Sequence, residues 1–150
     1  MNYWLMKSEP EEFSIDDLAR KKSEPWSGVR NYQARNFMRD GIRAGDGVFF
    51  YHSSCAEPGI AGIASVATSA YPDPTQFDPR SDYFDAKSSR AAPRWLLVDV
   101  KFKRKLKRTI TLAELKAQPE LRELALVRPG SRLSVQPVSK AHWDFILSLE

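Results

Sequence analysis

The chain has 150 residues, of which 42% are hydrophobic and 28% charged, and its formal net charge is +4. This length predicts a single domain over residues 1–150, and the composition excludes a disordered or fibrous protein. Apolar runs long enough to span a membrane do not occur, and Lys7 and Glu9 lie where a signal peptide would be apolar. We therefore expect a cytoplasmic protein that has no contact with membranes.

Both types of regular structure alternate along the first half of the chain. Ser14 and Asp17 form a capping-box pattern, and Asn31 is a favourable N-cap residue ahead of a run with helical spacing. The patterns predict strands at 3–7, 48–52 and 59–71, helices at 15–21 and 32–40, and a loop at 22–28.

The second half begins with a proline-rich segment that we predict to be a long surface loop. Thr111 and Ser139 are the predicted N-caps of two later helices. The predicted elements are a loop at 72–93, a strand at 94–106, helical segments at 112–117 and 119–126, a strand at 131–137 and a final helix. Because these strands are not spaced like βαβ units, we predict an α+β fold with a curved mixed or antiparallel sheet and flanking helices.

Metal, cofactor and disulfide chemistry have little support in the sequence. One cysteine, Cys55, and two histidines are too few for a disulfide or for a site rich in cysteine and histidine. The acidic residues between positions 73 and 85 lack the spacing of a calcium-binding loop, so we predict that they are solvated. We expect no metal and no cofactor.

Positive charge is concentrated in one segment of the chain. Residues 86–108 contain nine Lys or Arg and one Asp, whereas the remaining residues are acidic on balance. A local basic stripe indicates a polyanionic partner, with nucleic acid the first candidate. The alternative is a solvated strand edge that its lysines keep soluble.

An eleven-residue segment that begins at Trp26 combines large aromatic, guanidinium and amide side chains. Asn31 would place Arg30, Tyr32 and Arg35 around the amino-terminal end of a helix, where anions are favoured. An aromatic plane beside amides can stack a nucleobase and bind its edge. In the alternative interpretation, Trp26 packs into the core and the arginines are solvated.

A hydrolase or RNA-processing enzyme is the alternative function that the sequence leaves open. His52 is followed by Ser53 and, two residues later, by Cys55, so a base and two kinds of nucleophile are close in sequence. Neighbours on a strand point to opposite faces, and the sequence does not place an orienting carboxylate. The three residues are equally consistent with the start of a loop.

Seven sequence strings that run from residue 3 to residue 137 make the chain resemble the EVE domain family. They are YWLMKSEP at 3–10, WSGVRNYQARN at 26–36, FFYHS at 49–53, PGIAG at 58–62, PRW at 93–95, VDV at 98–100 and RLSVQP at 132–137. The resemblance implies a PUA-like fold and a non-enzymatic reader of a modified base in DNA or RNA, such as a modified cytosine. It also implies the compact bacterial form of the family. We expect a monomer that is cytoplasmic or associated with the nucleoid.

Each candidate site residue receives a role in this hypothesis. The predicted base pocket consists of Ser8, Trp26, Asn31, Tyr32, His52 and Ser53. The predicted phosphate or sugar contacts are Lys7, Arg30, Arg35, Lys103, Arg104 and Lys105. The predicted core tryptophans are Trp4, Trp95 and Trp143. If Trp26 stacks the base, alanine at that position should abolish the preference for a modified base while the fold stays intact.

Overall fold

Eight strands and four α-helices are formed by residues 1–130 and 132–150, which are the residues that this computed structural model describes. The strands are β1 (Tyr3–Ser8), β2 (Ser23–Pro25), β3 (Gly47–His52), β4 (Gly59–Val66), β5 (Tyr71–Pro72), β6 (Leu96–Leu97), β7 (Asp99–Thr111) and β8 (Val135–Val138). The helices are α1 (Ile15–Lys21), α2 (Tyr32–Asp40), α3 (Leu112–Lys116) and α4 (Lys140–Ser148). Short 3-10 turns occur at Pro74–Phe77, Pro119–Leu121 and Ala125–Val127.

Six of the strands form one curled, half-barrel sheet in the order β2-β7-β4-β3-β1-β8. β1 and β3 are parallel, with Ser8 paired to His52, and the other neighbours in this sheet are antiparallel. The register shifts once between β3 and β4 and twice between β4 and β7, and such irregularities bend a sheet. The predicted α+β class with a curved mixed sheet is confirmed.

All four predicted helix caps are present. The side chains of Ser14, Asn31, Thr111 and Ser139 each accept a hydrogen bond of 3.1 Å from the backbone N–H three residues further along. A cap of this kind typically stabilises a helix by about 1 kcal/mol. Local sequence therefore determines where each of these short helices begins.

The neighbouring strands β1 and β3 are buried on both faces, so the sheet separates two hydrophobic clusters. Met6 and Phe50 face the cluster that contains the apolar sides of α1 and α2, whereas Leu5 and Phe49 face the cluster under α3 and α4. The predicted core tryptophans are all buried: Trp4, Trp95 and Trp143.

Five predicted elements differ from the structure. The strand predicted at 59–71 ends at Val66, and the helical segment predicted at 119–126 consists of two short 3-10 turns. The predicted loop at 22–28 contains β2, which is too short to show a periodic pattern and exists because it pairs with β7. The predicted strand at 94–106 is divided into β6 and β7, and its alternation fails at 103–105, which are all exposed beside a register shift. In the predicted strand at 131–137, residue 131 lies outside the described residues, and β8 begins at Val135.

Candidate nucleic-acid interface

A cavity of about 620 Å³ lies at the sheet edge where β1 and β3 end. Because these strands are parallel, their carboxyl ends meet, and the Ser53 N–H donates to the Ser8 carbonyl at 3.0 Å. The Lys7 N–H donates to the Ser134 carbonyl at 2.9 Å and so brings the segment before β8 to the same edge. We call this space, which Ser8, Ser53 and Ser134 line, the serine cavity.

Of the predicted site residues, four line the serine cavity. They are Lys7, Ser8, Trp26 and Ser53. The lining residues that sequence reasoning did not assign to the site are Glu9, Glu12, Phe13, Glu24, Pro25, Ser27, Gly28, Val29, Ser54, Tyr83, Arg132 and Ser134. Phe13 and Tyr83 together with Trp26 make three aromatic side chains on the walls.

Trp26 is a core residue with a small surface left at the cavity. Only 8% of it is exposed, and its ring meets Phe50 and Phe13 edge to face, with centroids 5.5 Å and 6.5 Å away. Its backbone N–H donates to the Val98 carbonyl at 2.9 Å and so continues the pairing of β2 with β7. The indole therefore forms a fixed wall of the serine cavity and part of the core at once.

Tyr83 is the most accessible aromatic side chain of the cavity, with 40% of its surface exposed. Its ring covers Gly28, where a Cβ atom would lie 2.7 Å from the nearest ring carbon, and Gly28 itself has a φ of +86°. Both observations explain why this position carries glycine. Sequence reasoning missed Tyr83 because it lies 55 residues after Gly28, inside the predicted solvated loop.

We expect the replacement Gly28→Ala to displace Tyr83 and to destabilise the left-handed backbone. Gly45→Ala is the matched control, because Gly45 has a φ of +93° with no atom within 4 Å of its Cβ position. Strain alone costs about 1–3 kcal/mol in both variants, measured as the free energy of unfolding in urea. If the Tyr83 ring contacts a bound nucleic acid, affinity for an oligonucleotide should fall further in Gly28→Ala than in Gly45→Ala. Equal affinities in the two variants would contradict this contact.

The guanidinium of Arg30 is hydrogen-bonded within the protein. It donates to Asp73 at 3.1 Å, to the Thr75 hydroxyl at 3.0 Å and twice to the Tyr83 carbonyl. Protein acceptors therefore occupy this guanidinium, which holds the segment that carries Tyr83, and the phosphate contact of Arg30 stays a prediction.

Asp73 is fully buried, so the prediction that it is solvated is wrong. Its carboxylate accepts from the backbone N–H groups of Gly28 and Thr75, each at 2.8 Å, and from the Thr75 hydroxyl at 2.6 Å. Burial by itself would raise the pKa of Asp73, but the hydrogen bonds from Thr75, Gly28 and Arg30 outweigh it and lower that pKa. A buried carboxylate thus ties Gly28 to the loop that follows β5.

Charged groups of both signs surround the opening of the serine cavity. Lys7 and Arg132 are cationic, and Glu9, Glu12 and Glu24 are carboxylates. Burial lowers the pKa of the Lys7 ammonium, whose Nζ lies 5.9 Å from the centroid of the Tyr51 ring. The cavity therefore combines aromatic walls, hydroxyl groups, hydrogen-bond-accepting carboxylates and two cations.

Asn31, Tyr32 and Arg35 do not line the serine cavity. The Asn31 side chain caps α2, and the exposed Tyr32 ring packs against Trp95 with centroids 4.8 Å apart. The Arg35 guanidinium lies 5.0 Å from the Tyr32 ring centroid and donates to the Arg94 carbonyl at 2.7 Å. Their predicted contacts with base and phosphate are therefore not part of the site that we propose.

His52 does not line the serine cavity either. Its Nε2 accepts a 3.1 Å hydrogen bond from the Ile15 N–H at the start of α1. Burial lowers the pKa of His52, which favours the neutral, accepting imidazole. Within residues 1–130 and 132–150, no hydrogen bond joins His52 to Ser53 or Cys55. The arrangement gives His52 a structural task at the end of β3.

The predicted phosphate contacts on β7 do not line the serine cavity. Arg104 holds the Glu150 carboxylate through two hydrogen bonds of 2.8 Å, which, together with the Lys107 N–H, lower the pKa of Glu150 to about 2. Lys105 pairs with Asp16 at 3.0 Å, whereas Lys103 is exposed and has no side-chain partner in the described part of the chain.

Residues 1–130 and 132–150 contain neither a cluster of metal-ligating side chains nor a membrane-spanning helix. No group of three or more His, Cys, Asp or Glu side chains there could hold a metal ion. No helix there is long and apolar enough to cross a membrane.

Comparison with known proteins identifies the family: a model of the EVE domain matches residues 2–149, and the chain belongs to the EVE domain family. It is 45% identical to human thymocyte nuclear protein 1 over 99% of this chain and 74% of the human protein. A crystal structure from Pseudomonas syringae, 54% identical, superposes with a TM-score of 0.95 over 98% of both chains.

The human relative has also been solved in complex with DNA that contains 5-methylcytosine. That structure is 44% identical to this chain and superposes with a TM-score of 0.93, covering 99% of this chain and 97% of the other. The curled sheet with its helices is thus the PUA-like fold expected from the resemblance.

Proposed function

We propose that this protein is a non-enzymatic reader of a modified base, most directly 5-methylcytosine, which it holds in the serine cavity after the base leaves its stack. The observation that carries the proposal is the serine cavity, whose lining combines three aromatic side chains with serine hydroxyl groups. The protein that has this cavity is a relative of one that was solved with DNA containing 5-methylcytosine. A monomeric state, a cytoplasmic location, a bacterial source and binding to RNA stay predictions from the sequence.

The side chains that line the serine cavity suit a flipped cytosine. Stacking on an aromatic ring contributes about 1–3 kcal/mol, which offsets the few kcal/mol that unstacking costs in a duplex. Cytosine presents an exocyclic amino group, and carboxylates such as Glu9 and Glu12 are suitable acceptors for it. The hydroxyl groups of Ser53 and Ser134 can bind the remaining polar edge.

The methyl group adds a smaller increment. Burial of one methyl group contributes about 0.8 kcal/mol, which corresponds to roughly fourfold in affinity. A larger preference requires polar groups that only the correct base satisfies. The test is a titration of the protein with two single-stranded oligonucleotides that differ only in one cytosine methyl group. We expect tighter binding of the methylated strand, and equal affinities would refute the proposal.

The variant Tyr83→Ala tests the accessible wall without disturbing the core. Phe84→Ala is the matched control, since Phe84 is 42% exposed, adjacent in sequence and not part of the cavity lining. Loss of one stacking contact should weaken binding of the methylated strand about 5- to 150-fold in Tyr83→Ala. Phe84→Ala should bind like the parent protein, and equal losses in both variants would place the base elsewhere.

A further inference from the structure

A second cavity, of about 790 Å³, lies next to the serine cavity, and Lys7 lines both. Its floor includes the buried side chains of Tyr51 and Leu126, and its rim carries Lys116, Arg122 and Arg128. We call it the basic cavity, because its lining contains four cations, including Lys7, and a single carboxylate.

The positive charge of the basic cavity is poorly compensated. The side chains of Lys116 and Arg122 form no hydrogen bond or ion pair with any residue in 1–130 or 132–150. Arg128 approaches Glu123 only to 3.8 Å, and both groups are exposed, so this pair contributes little. Cations gathered at a concave surface without partners focus a positive potential there.

The stripe on β7 differs because three of its six cations are paired, and the unpaired Lys101, Lys103 and Lys107 are exposed on the strand and line neither cavity. Arg104, Lys105 and Arg108 are each paired with a carboxylate of the protein, at 2.8, 3.0 and 2.6 Å. A phosphate would have to replace these carboxylates, whereas at Lys116 and Arg122 it would meet cations that have no competing partner among the described residues. The basic cavity is therefore the stronger candidate for contacts with a polyanion.

Lys7 connects the two cavities. It lies beside Ser8 at the end of β1, and its ammonium group is half-buried, so an anion held nearby would stabilise its charge. A strand whose base occupies the serine cavity would meet the basic cavity on the side of Lys7, which lines both.

We propose that the basic cavity binds the phosphates of the nucleotides on one side of the base that the serine cavity holds. The inference rests on the proposed function, and it adds a direction to the bound strand. The recognised chemistry is the phosphodiester backbone, so sequence on that side should not matter.

The test uses single strands with one 5-methylcytosine and about six further nucleotides on either its 5′ or its 3′ side. The variant is Lys116→Gln/Arg122→Gln in the full chain. Its control is Arg39→Gln/Lys140→Gln, which removes the same charge from exposed ion pairs beyond the opposite ends of β1 and β3. Affinities are measured by fluorescence anisotropy across a salt series, with inorganic phosphate as a competitor.

The parent should bind one of the two strands more tightly, and the variant should lose this difference. Single strands release about 0.7 counterion per neutralised phosphate, so the salt slope of the variant should be shallower by about 1.4. That change makes the affinity loss between about 50 and 200 mM salt roughly sevenfold smaller. The control variant should keep the parent slope.

Other outcomes overturn the inference in distinguishable ways. An unchanged slope and strand preference in Lys116→Gln/Arg122→Gln would refute the backbone contact, even if the methyl preference persists. If millimolar inorganic phosphate displaces the oligonucleotide completely, the basic cavity is a site for a small anion and not for the backbone of a strand. If the slope flattens but methylated and unmethylated strands bind equally, the basic cavity holds backbone and the proposed function fails instead.

Discussion

Replacing Trp26 by alanine should destabilise the fold by about 3–5 kcal/mol, the usual range for removal of a buried tryptophan. Trp26 is buried, and its ring is fixed edge to face against Phe13 and Phe50, so little of the resulting space can close. The sequence-based expectation that the fold would stay intact does not allow for this burial. Urea unfolding followed by circular dichroism measures the loss.

Trp143→Ala separates packing from base contact. Trp143 is also 8% exposed, but it stacks on Phe49 in the other hydrophobic cluster and does not line the serine cavity. Both variants should lose similar stability, whereas only Trp26→Ala should lose the ratio of affinities for methylated and unmethylated strands, measured where both are folded. If Trp26→Ala keeps the parent's ratio of affinities for the two strands, the indole contributes to packing of the core and does not contact the base.

Local signals explain why much of the fold could be predicted from the sequence. The caps at Ser14 and Asn31 depend on neighbours three residues away, and β1 and β3 are apolar runs whose β propensity is high. The roles of Ser8 and Ser53 come from the resemblance to the EVE family, and the pairing of β1 with β3 explains why these two residues meet at one cavity. The caps and the two strands can therefore be predicted without knowledge of distant contacts.

Distant contacts determine the remainder of the site. Gly28 and Asp73 are 45 residues apart in sequence, and Arg30 and Tyr83 are 53 apart, yet these contacts build one wall of the serine cavity. An arginine beside a capped helix has the same local pattern whether its partner is a phosphate or a buried aspartate. β2 is likewise specified by β7 and not by its own three residues.

The variant Arg30→Gln tests whether the partner of Arg30 is the buried Asp73 carboxylate or a phosphate of the bound strand. Removal of the guanidinium leaves the fully buried Asp73 carboxylate with only neutral donors from Gly28 and Thr75. We expect a loss of about 3 kcal/mol, at the lower end of the range for a buried charge that loses its ionic partner. Arg80→Gln is the control, because Arg80 pairs with Asp78 at 3.3 Å on the surface of the same loop and should cost less than about 1 kcal/mol.

The pH dependence of this loss gives a second test. The pKa of Asp73 is lowered in the folded parent, so its contribution to stability is present above an ordinary carboxyl pKa of about 3.9 and disappears as the pH falls through the folded value. Without Arg30 the carboxyl takes up its proton at a higher pH. A protonated Asp73 needs no cation, so the difference in unfolding free energy between parent and Arg30→Gln should be largest near neutral pH and shrink on acidification. If Arg30→Gln is as stable as the parent and its oligonucleotide binding depends less steeply on salt, Arg30 contacts a phosphate and does not stabilise Asp73.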